Sequence, residues 1–168
     1  MYKDDPYSTH IEFLQTIISI VGVPKNAVEF GMGNYSTEFL LKNSEHLVSI
    51  EMQSEEWFNK IFEKFKDTKT WVPFKLLGPF NFTKIDFKHT DLVLIDGHGE
   101  TRPECVNLMF NYNVPYIIAH DTEAGSYGWN RVKEPSDYFC YEFKKYENWS
   151  TLWTTNEMLF KKLLDKYS

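Results

Sequence analysis

Two groups of residues in this sequence have types and spacings that chemistry can use. The first is the run Val28-Glu29-Phe30-Gly31-Met32-Gly33-Asn34-Tyr35-Ser36-Thr37. Its glycines permit a tight turn and let a ligand approach the backbone, and a helix starting after them would offer unpaired N–H groups. Glu51 lies twenty-two residues beyond Glu29, the separation at which an acid accepts hydrogen bonds from a ribose diol. The alternative is a glycine turn that only packs strand on helix, with Glu51 a solvated strand end. The second group is Asp96-Gly97-His98-Gly99 together with His120-Asp121. A hydroxyl nucleophile needs a general base or a metal, and histidine is the commonest base near neutral pH; a metal would instead lower the hydroxyl pKa and orient it. His98 is the first expected base and His120 the second, against the plainer role of a histidine that hydrogen-bonds a carboxylate. Arg102 suits an anionic group of cofactor or substrate, or is an ordinary arginine at a helix start.

The segments around these residues must place them. Ile11, Leu14, Ile17, Ile18 and Val21 recur at helical spacing and end at Gly22 and Pro24. Ala27–Gly31 reads as a buried strand, followed by a short helix carrying Phe39, Leu40 and Leu41. Leu47–Glu51 is a second strand, and Ser54 caps a helix with the face Trp57, Phe58, Ile61, Phe62 and Phe65. A third strand is expected at Trp71–Leu77, ended by Gly78-Pro79. The fourth, Asp91–Asp96, is the most hydrophobic run in the chain. Thr101 and Glu104 form the pattern of a capping box opening a helix through Phe110, and Val114–His120 is the fifth strand. The long loop from Asp121 to Pro135 carries Tyr127 and Trp129 among small residues, which suits a substrate lid or stacking platform, or two rings that cap the core. A helix is expected near Glu134–Tyr146, then two strands, Trp149–Trp153 and Met158–Leu163, paired through Thr154-Thr155-Asn156. His10, His46 and His89 stand alone and read as structural.

The composition narrows the classes of function. The chain has 168 residues, a formal net charge of −6 and 42% hydrophobic residues. That length suits one domain over 1–168, with a helical region at 1–22 before a core at 23–168. An acidic chain without a basic run argues against nucleic acid. No stretch approaches a membrane span and the first residues lack a signal-type apolar core, so a cytoplasmic location is expected. The two cysteines, Cys105 and Cys140, are expected to be reduced thiols rather than a disulfide framework. The alternating elements imply an α/β fold with helices on both faces of a mostly parallel seven-stranded sheet that closes in an antiparallel C-terminal hairpin.

In its first motif the chain resembles the class I, Rossmann-like, S-adenosylmethionine-dependent methyltransferases. An acid followed by Gly-x-Gly at the end of the first strand is matched by Glu29, Gly31 and Gly33, and the acid of the second strand by Glu51. A nicotinamide fingerprint would carry Gly or Ala where Ser36 stands and no acid at Glu29, so an oxidoreductase is the less favoured alternative. The resemblance implies S-adenosylmethionine as cofactor, with Met52 against the adenine and Asp96 near the methionine end. Within that family the chain looks like the small-molecule and sugar O-methyltransferases, so the resemblance implies a small-molecule or carbohydrate acceptor. Those enzymes carry an Asp after strand four and a pair of acids after strand five, which hold magnesium or manganese. Asp96 and Asp121 match, whereas His120 stands for the first acid of the pair and Gly99 for a lysine. Arg102, Tyr127 and Trp129 then belong to substrate binding. A homodimer, or a place in a larger glycan-modifying protein, would complete a shallow acceptor pocket. A non-catalytic module that binds S-adenosylmethionine is the alternative function.

Overall fold

The computed structural model describes residues 8–77, 82 and 85–167. The expected stop at Gly78-Pro79 and the leading residues 1–7 lie outside them. The elements, in chain order, are α1 (Thr9–Val21), β1 (Asn26–Phe30), α2 (Ser36–Asn43), β2 (His46–Glu51), α3 (Glu55–Phe65), β3 (Trp71–Lys75) and β4 (Leu92–Ile95), then α4 (Arg102–Asn111), β5 (Tyr116–His120), β6 (Phe139–Phe143), β7 (Ser150–Thr154) and α5 (Glu157–Tyr167). Short 3₁₀ turns stand at Gly99–Thr101, Gly125–Tyr127 and Trp129–Arg131.

One seven-stranded sheet runs β3-β2-β1-β4-β5-β7-β6. The first five strands are parallel, and β7 lies antiparallel between β5 and β6. Successive residues of a strand point to opposite faces, and the burial of β4 on both faces explains its unbroken apolar run. Leu92 and Leu94 join Leu14, Ile17, Leu40, Ile61 and Leu163 on the side covered by α1, α2, α3 and α5. Val93 and Ile95 join Cys105, Val106 and Met109 of α4 on the other. Pro73 sits in β3 at the sheet edge, where a missing N–H is tolerated. No helix among the described residues is long and apolar enough to cross a membrane.

The expected hairpin exists, and its strand at Trp149–Trp153 is β7, but the partner is β6, which precedes β7, rather than Met158–Leu163. The segment read as a helix over Glu134–Tyr146 contains β6, whose residues alternate between less and more exposed along Phe139–Phe143, the period of a strand. Its aromatic residues pack well on a pleated surface. The segment read as a strand at Met158–Leu163 is α5. Asn156, taken as a turn residue, caps that helix by accepting from the N–H of Leu159 at 3.0 Å, and Leu159 and Leu163 form the buried stripe. The capping box at Thr101 is also absent. The Thr101 hydroxyl donates to the carbonyl of His98 at 2.8 Å, within the 3₁₀ turn that leads into α4, and Glu104 pairs with Arg131. By contrast Ser54 caps α3 as expected, accepting from Trp57 N–H at 3.2 Å.

Candidate functional site

Order in the sheet brings the carboxyl ends of β2, β1, β4, β5 and the start of β7 into one row, and open α/β sheets bind ligands along such an edge. The glycine turn leaves β1 at its centre. Gly31 has φ +92°, and a Cβ there would stand 2.5 Å from the carbonyl oxygen of Asp96. The ends of β1 and β4 therefore approach so closely that only glycine fits. At Gly33 the nearest atoms to a Cβ all belong to Ser36, its hydroxyl at 2.5 Å, so the lack of a side chain there matters more for what approaches from the cavity.

Glu29 holds this turn from beneath. It is fully buried, and its Oε1 accepts from the hydroxyls of Thr37 and Ser49, both at 2.6 Å. Thr37 Oγ1 in turn accepts from Gly33 N–H at 3.0 Å, and Ser49 Oγ from the indole N–H of Trp71 at 2.8 Å. The second oxygen, Oε2, has no hydrogen-bond partner among the described residues. Burial pushes the Glu29 carboxyl up to about 7, against the pull of the Ser49 and Thr37 hydroxyls. The acid thus shapes the glycine turn rather than facing the cavity.

Glu51 ends β2 almost wholly buried. Its Oε2 accepts from Met32 N–H at 3.1 Å, and Oε1 from the N–H groups of Gln53 and Ser54 at 2.8 and 3.1 Å. Three donors leave about one of a carboxylate's roughly four acceptor positions open. Met52 is buried in the core on the α4 side, and neither residue lines the cavity described below.

At the ends of β4 and β5 the side chains converge on Arg102. Its Nη2 lies 3.1 Å from Asp96 Oδ1 and its Nη1 3.0 Å from Asp121 Oδ2. Nε donates to the carbonyl of Gly97 and Nη1 also to that of His120. The guanidinium lies beneath the ring of Tyr127, 4.9 Å from its centroid. Burial raises Asp96 above the usual carboxylate range, although His120 and Arg102 pull the other way. For Asp121, burial is outweighed by His120, Arg102 and the hydrogen bond from Asn148, and its carboxyl is held below that range. Asp121 adopts φ +53°, an uncommon conformation for a side-chain-bearing residue and one found at functional sites. The two carboxylates assigned to a divalent ion are thus joined by a buried guanidinium, which supplies the positive charge an ion would supply. These residues do not fit a shared metal, and no group of three or more His, Cys, Asp or Glu among the described residues is arranged to hold one.

A cavity of about 710 Å³ runs along this row, lined on one side by Gln53, Trp57 and Met32 to Ser36, and on the other by Asp96, Arg102, His120, Asp121, Asn148 and His10. Of the expected site residues, Gly33, Ser36, Asp96, Arg102, His120 and Asp121 line it. His98 is exposed and does not. Tyr127 and Trp129 also stay outside the lining: Tyr127 stacks on Arg102, and the Trp129 indole N–H donates to the carbonyl of Asp121 at 3.2 Å. They support the site from behind.

His120 is buried, with Nδ1 3.1 Å from Ser150 Oγ and Nε2 in longer contacts of 3.4 Å with Thr9 Oγ1 and Asp121 Oδ1. Its ring lies 4.7 Å, centroid to centroid, from that of His10. Sequence reasoning missed His10, and the helical period held the signal: His10 shares one face with Phe13, Leu14 and Ile17, so a polar ring was bound to be buried there. Asn148 carried no comparable signal.

No protein-family model matches the sequence, and no curated protein does either. Solved structures share its fold. An O-methyltransferase from Bacillus cereus in complex with S-adenosylhomocysteine is 18% identical, with a TM-score of 0.64 over 89% of this chain and 82% of the other. A Streptococcus mutans protein, also in complex with S-adenosylhomocysteine, is 15% identical, with a TM-score of 0.68 over 86% of this chain and 96% of its own. The N-methyltransferase NodS from Bradyrhizobium japonicum is 13% identical, with a TM-score of 0.58 over 92% of this chain and 99% of its own. The fold is therefore the class I, Rossmann-like methyltransferase fold.

Proposed function

We propose that this chain is an S-adenosylmethionine-dependent methyltransferase that methylates a hydroxyl of a small polar molecule or sugar. The observation that carries the reading is the division of one cavity into two unlike halves on this fold. Around Gly33 and Ser36 the wall is glycine-turn backbone that a nucleoside can approach closely. Around His120 and Asp121 it is a cluster of polar and titratable side chains of the kind that handles a proton.

The residues present fit the cofactor. Gly31 and Gly33 keep the turn free of side chains, Ser36 lines the cavity, and Glu51, which supports the turn from outside the lining, has about one acceptor position that a ribose hydroxyl would use. S-adenosylmethionine, when bound, supplies a methyl group activated by a positively charged sulfur. The protein then has to align a nucleophile with that methyl and take up its proton. His120 is placed for the proton. It lines the cavity, its Nδ1 is fixed by Ser150, its Nε2 has only longer contacts, and Asp121 stands 3.4 Å away to stabilise the imidazolium that would form. Asp121 itself is oriented by Asn148 and Arg102. Among the described residues, those lining the acceptor half are polar or charged, which favours a hydroxylated acceptor over a greasy one.

Calorimetry with S-adenosylmethionine, S-adenosylhomocysteine and NAD tests the reading. Saturable binding of the first two and none of the third is expected. NAD binding without either of the others would replace this function by an oxidoreductase.

A further inference from the structure

Tyr127 lies outside the cavity lining, but several contacts fix where its ring sits. Its backbone N–H donates to the carbonyl of Ala124 at 3.1 Å, and its own carbonyl accepts from Arg131 Nη2 at 2.9 Å. The same Nη2 donates to the carbonyl of Glu100 and Nε to that of Gly128, while Nη1 pairs with Glu104. Arg131 therefore ties the loop to the start of α4. The ring rests on Gly99, where a Cβ would stand 2.3, 2.5 and 2.7 Å from three ring carbons. A methyl group and the ring cannot share that space, so glycine is what admits the ring.

The same ring lies over the Arg102 guanidinium, 4.9 Å from carbon to centroid. The polar partners of that guanidinium meet its N–H edge: the carbonyl of Gly97 at Nε, the carbonyl of His120 and Asp121 at Nη1, and Asp96 at Nη2. Hydrogen bonds to a planar fork run in its plane, and they resist sliding within the plane better than tilting out of it. An aromatic face resists the tilt. Its pull on a cation is strongest where water is excluded, as at this arginine, which is 5% exposed. The tilt matters because Nη1 spans two acceptors, the His120 carbonyl at 2.6 Å and Asp121 Oδ2 at 3.0 Å. The other Asp121 oxygen stands 3.4 Å from His120 Nε2.

We propose that Tyr127 is a positioning residue: seated on Gly99, its ring holds the Arg102 guanidinium in place and, through it, keeps the Asp121 carboxylate turned toward His120. Tyr127 acts through Arg102, without touching cofactor or acceptor, and its loop is a fixed brace rather than a lid. The benefit to the reaction rests on the methyltransferase reading, in which Asp121 stabilises the His120 imidazolium.

The test is NMR of the full chain without cofactor, with arginine side chains labelled with ¹⁵N and aspartate carboxyls with ¹³C. At neutral pH the Arg102 Nη groups should give separate, slowly exchanging signals in the unmodified chain and in Tyr127→Phe, and merged, fast-exchanging ones in Tyr127→Ala. From about pH 7 to about pH 4 the Asp121 carboxyl signal should stay flat in the first two and start to move in Tyr127→Ala, because a carboxylate that loses a charged partner titrates nearer its ordinary range. Gly99→Ala should copy Tyr127→Ala, and the doubly substituted chain should add nothing to either, since both changes remove one contact. Should Tyr127→Ala not fold, Tyr127→Leu carries the same expectations. Separate Arg102 signals in Tyr127→Ala, a flat Asp121 signal there, or Tyr127→Phe behaving like Tyr127→Ala would each overturn the proposal. A lowered melting temperature with both signals unchanged would also overturn it, by making the ring a cap on the core. Failure of the methyltransferase reading shows separately, as absence of S-adenosylhomocysteine binding to the unmodified chain.

Discussion

Arg102 Nη1 lies 3.0 Å from Asp121 Oδ2, and this ion pair ties the start of α4 to the end of β5. The same guanidinium reaches Asp96 at 3.1 Å and two backbone carbonyls, so four acceptors depend on one side chain. Arginine suits such a position because its donors fan out in a rigid plane.

Removing one member of a buried ion network leaves the others uncompensated. Arg102→Met should lower the unfolding free energy by about 3 kcal/mol or more, read from urea titrations of both proteins. A loss within error of zero would mean that the carboxylates find water instead. Because the guanidinium already occupies the space between Asp96 and Asp121, methyl transfer should be equal in EDTA and in added magnesium. Loss of activity in chelator, restored by magnesium, would place an ion there after all.

Glu51 serves the turn as well as the proposed ribose contact. Glu51→Ala strips the acceptor from three backbone N–H groups and should weaken S-adenosylmethionine about ten- to a hundredfold, or roughly 1.5–3 kcal/mol. Thermal melts of the same variant should also fall, since the Met32 N–H is buried and loses its acceptor. Unchanged affinity by calorimetry would show that the ribose does not meet this acid.

Glu29 predicts a pH dependence of stability. Its carboxyl is pushed from 4.5 to about 7 by burial, so the folded chain keeps a proton that the unfolded chain has lost between these values. Stability therefore declines as pH rises through this window and levels off above it, at a cost of about 3 kcal/mol. Glu29→Gln keeps an acceptor for Thr37 and Ser49 and removes the charge. Its advantage over the unchanged protein in urea titrations should grow from about pH 5 to about pH 8; parallel curves would refute the assignment.

The two histidines first considered as the base now have different expectations. With a verified acceptor, His120→Ala should slow methyl transfer roughly 10²- to 10⁴-fold, the usual worth of a general base, while calorimetry shows S-adenosylmethionine still bound. His98→Ala should keep a rate within about threefold, since its exposed ring lies off the cavity and surface changes are seldom felt. The reverse ranking would return the proton to His98.

Local pattern determined much of this molecule. Glycine spacing, Glu29 and Glu51 are legible because the turn and its supports lie within a few residues of strand ends whose apolar runs are unmistakable. The first five strands and the helices between them follow from side-chain period alone. Beyond Pro135 the pattern misled, because the aromatic run Tyr138–Phe143 is compatible with either period, and Asn156 suits both a hairpin turn and a helix cap. Only the assembled sheet decided between them: β7 had to lie between β5 and β6, and α5 had to cover the face left open beside α1. The geometry of the candidate site was decided at the same level. That Arg102 joins two acids, that His98 faces solvent, and that His10 stands against a residue more than a hundred positions away depend on how helices dock on strands. Docking is fixed by the packing of whole faces, and no spacing along the chain encodes it.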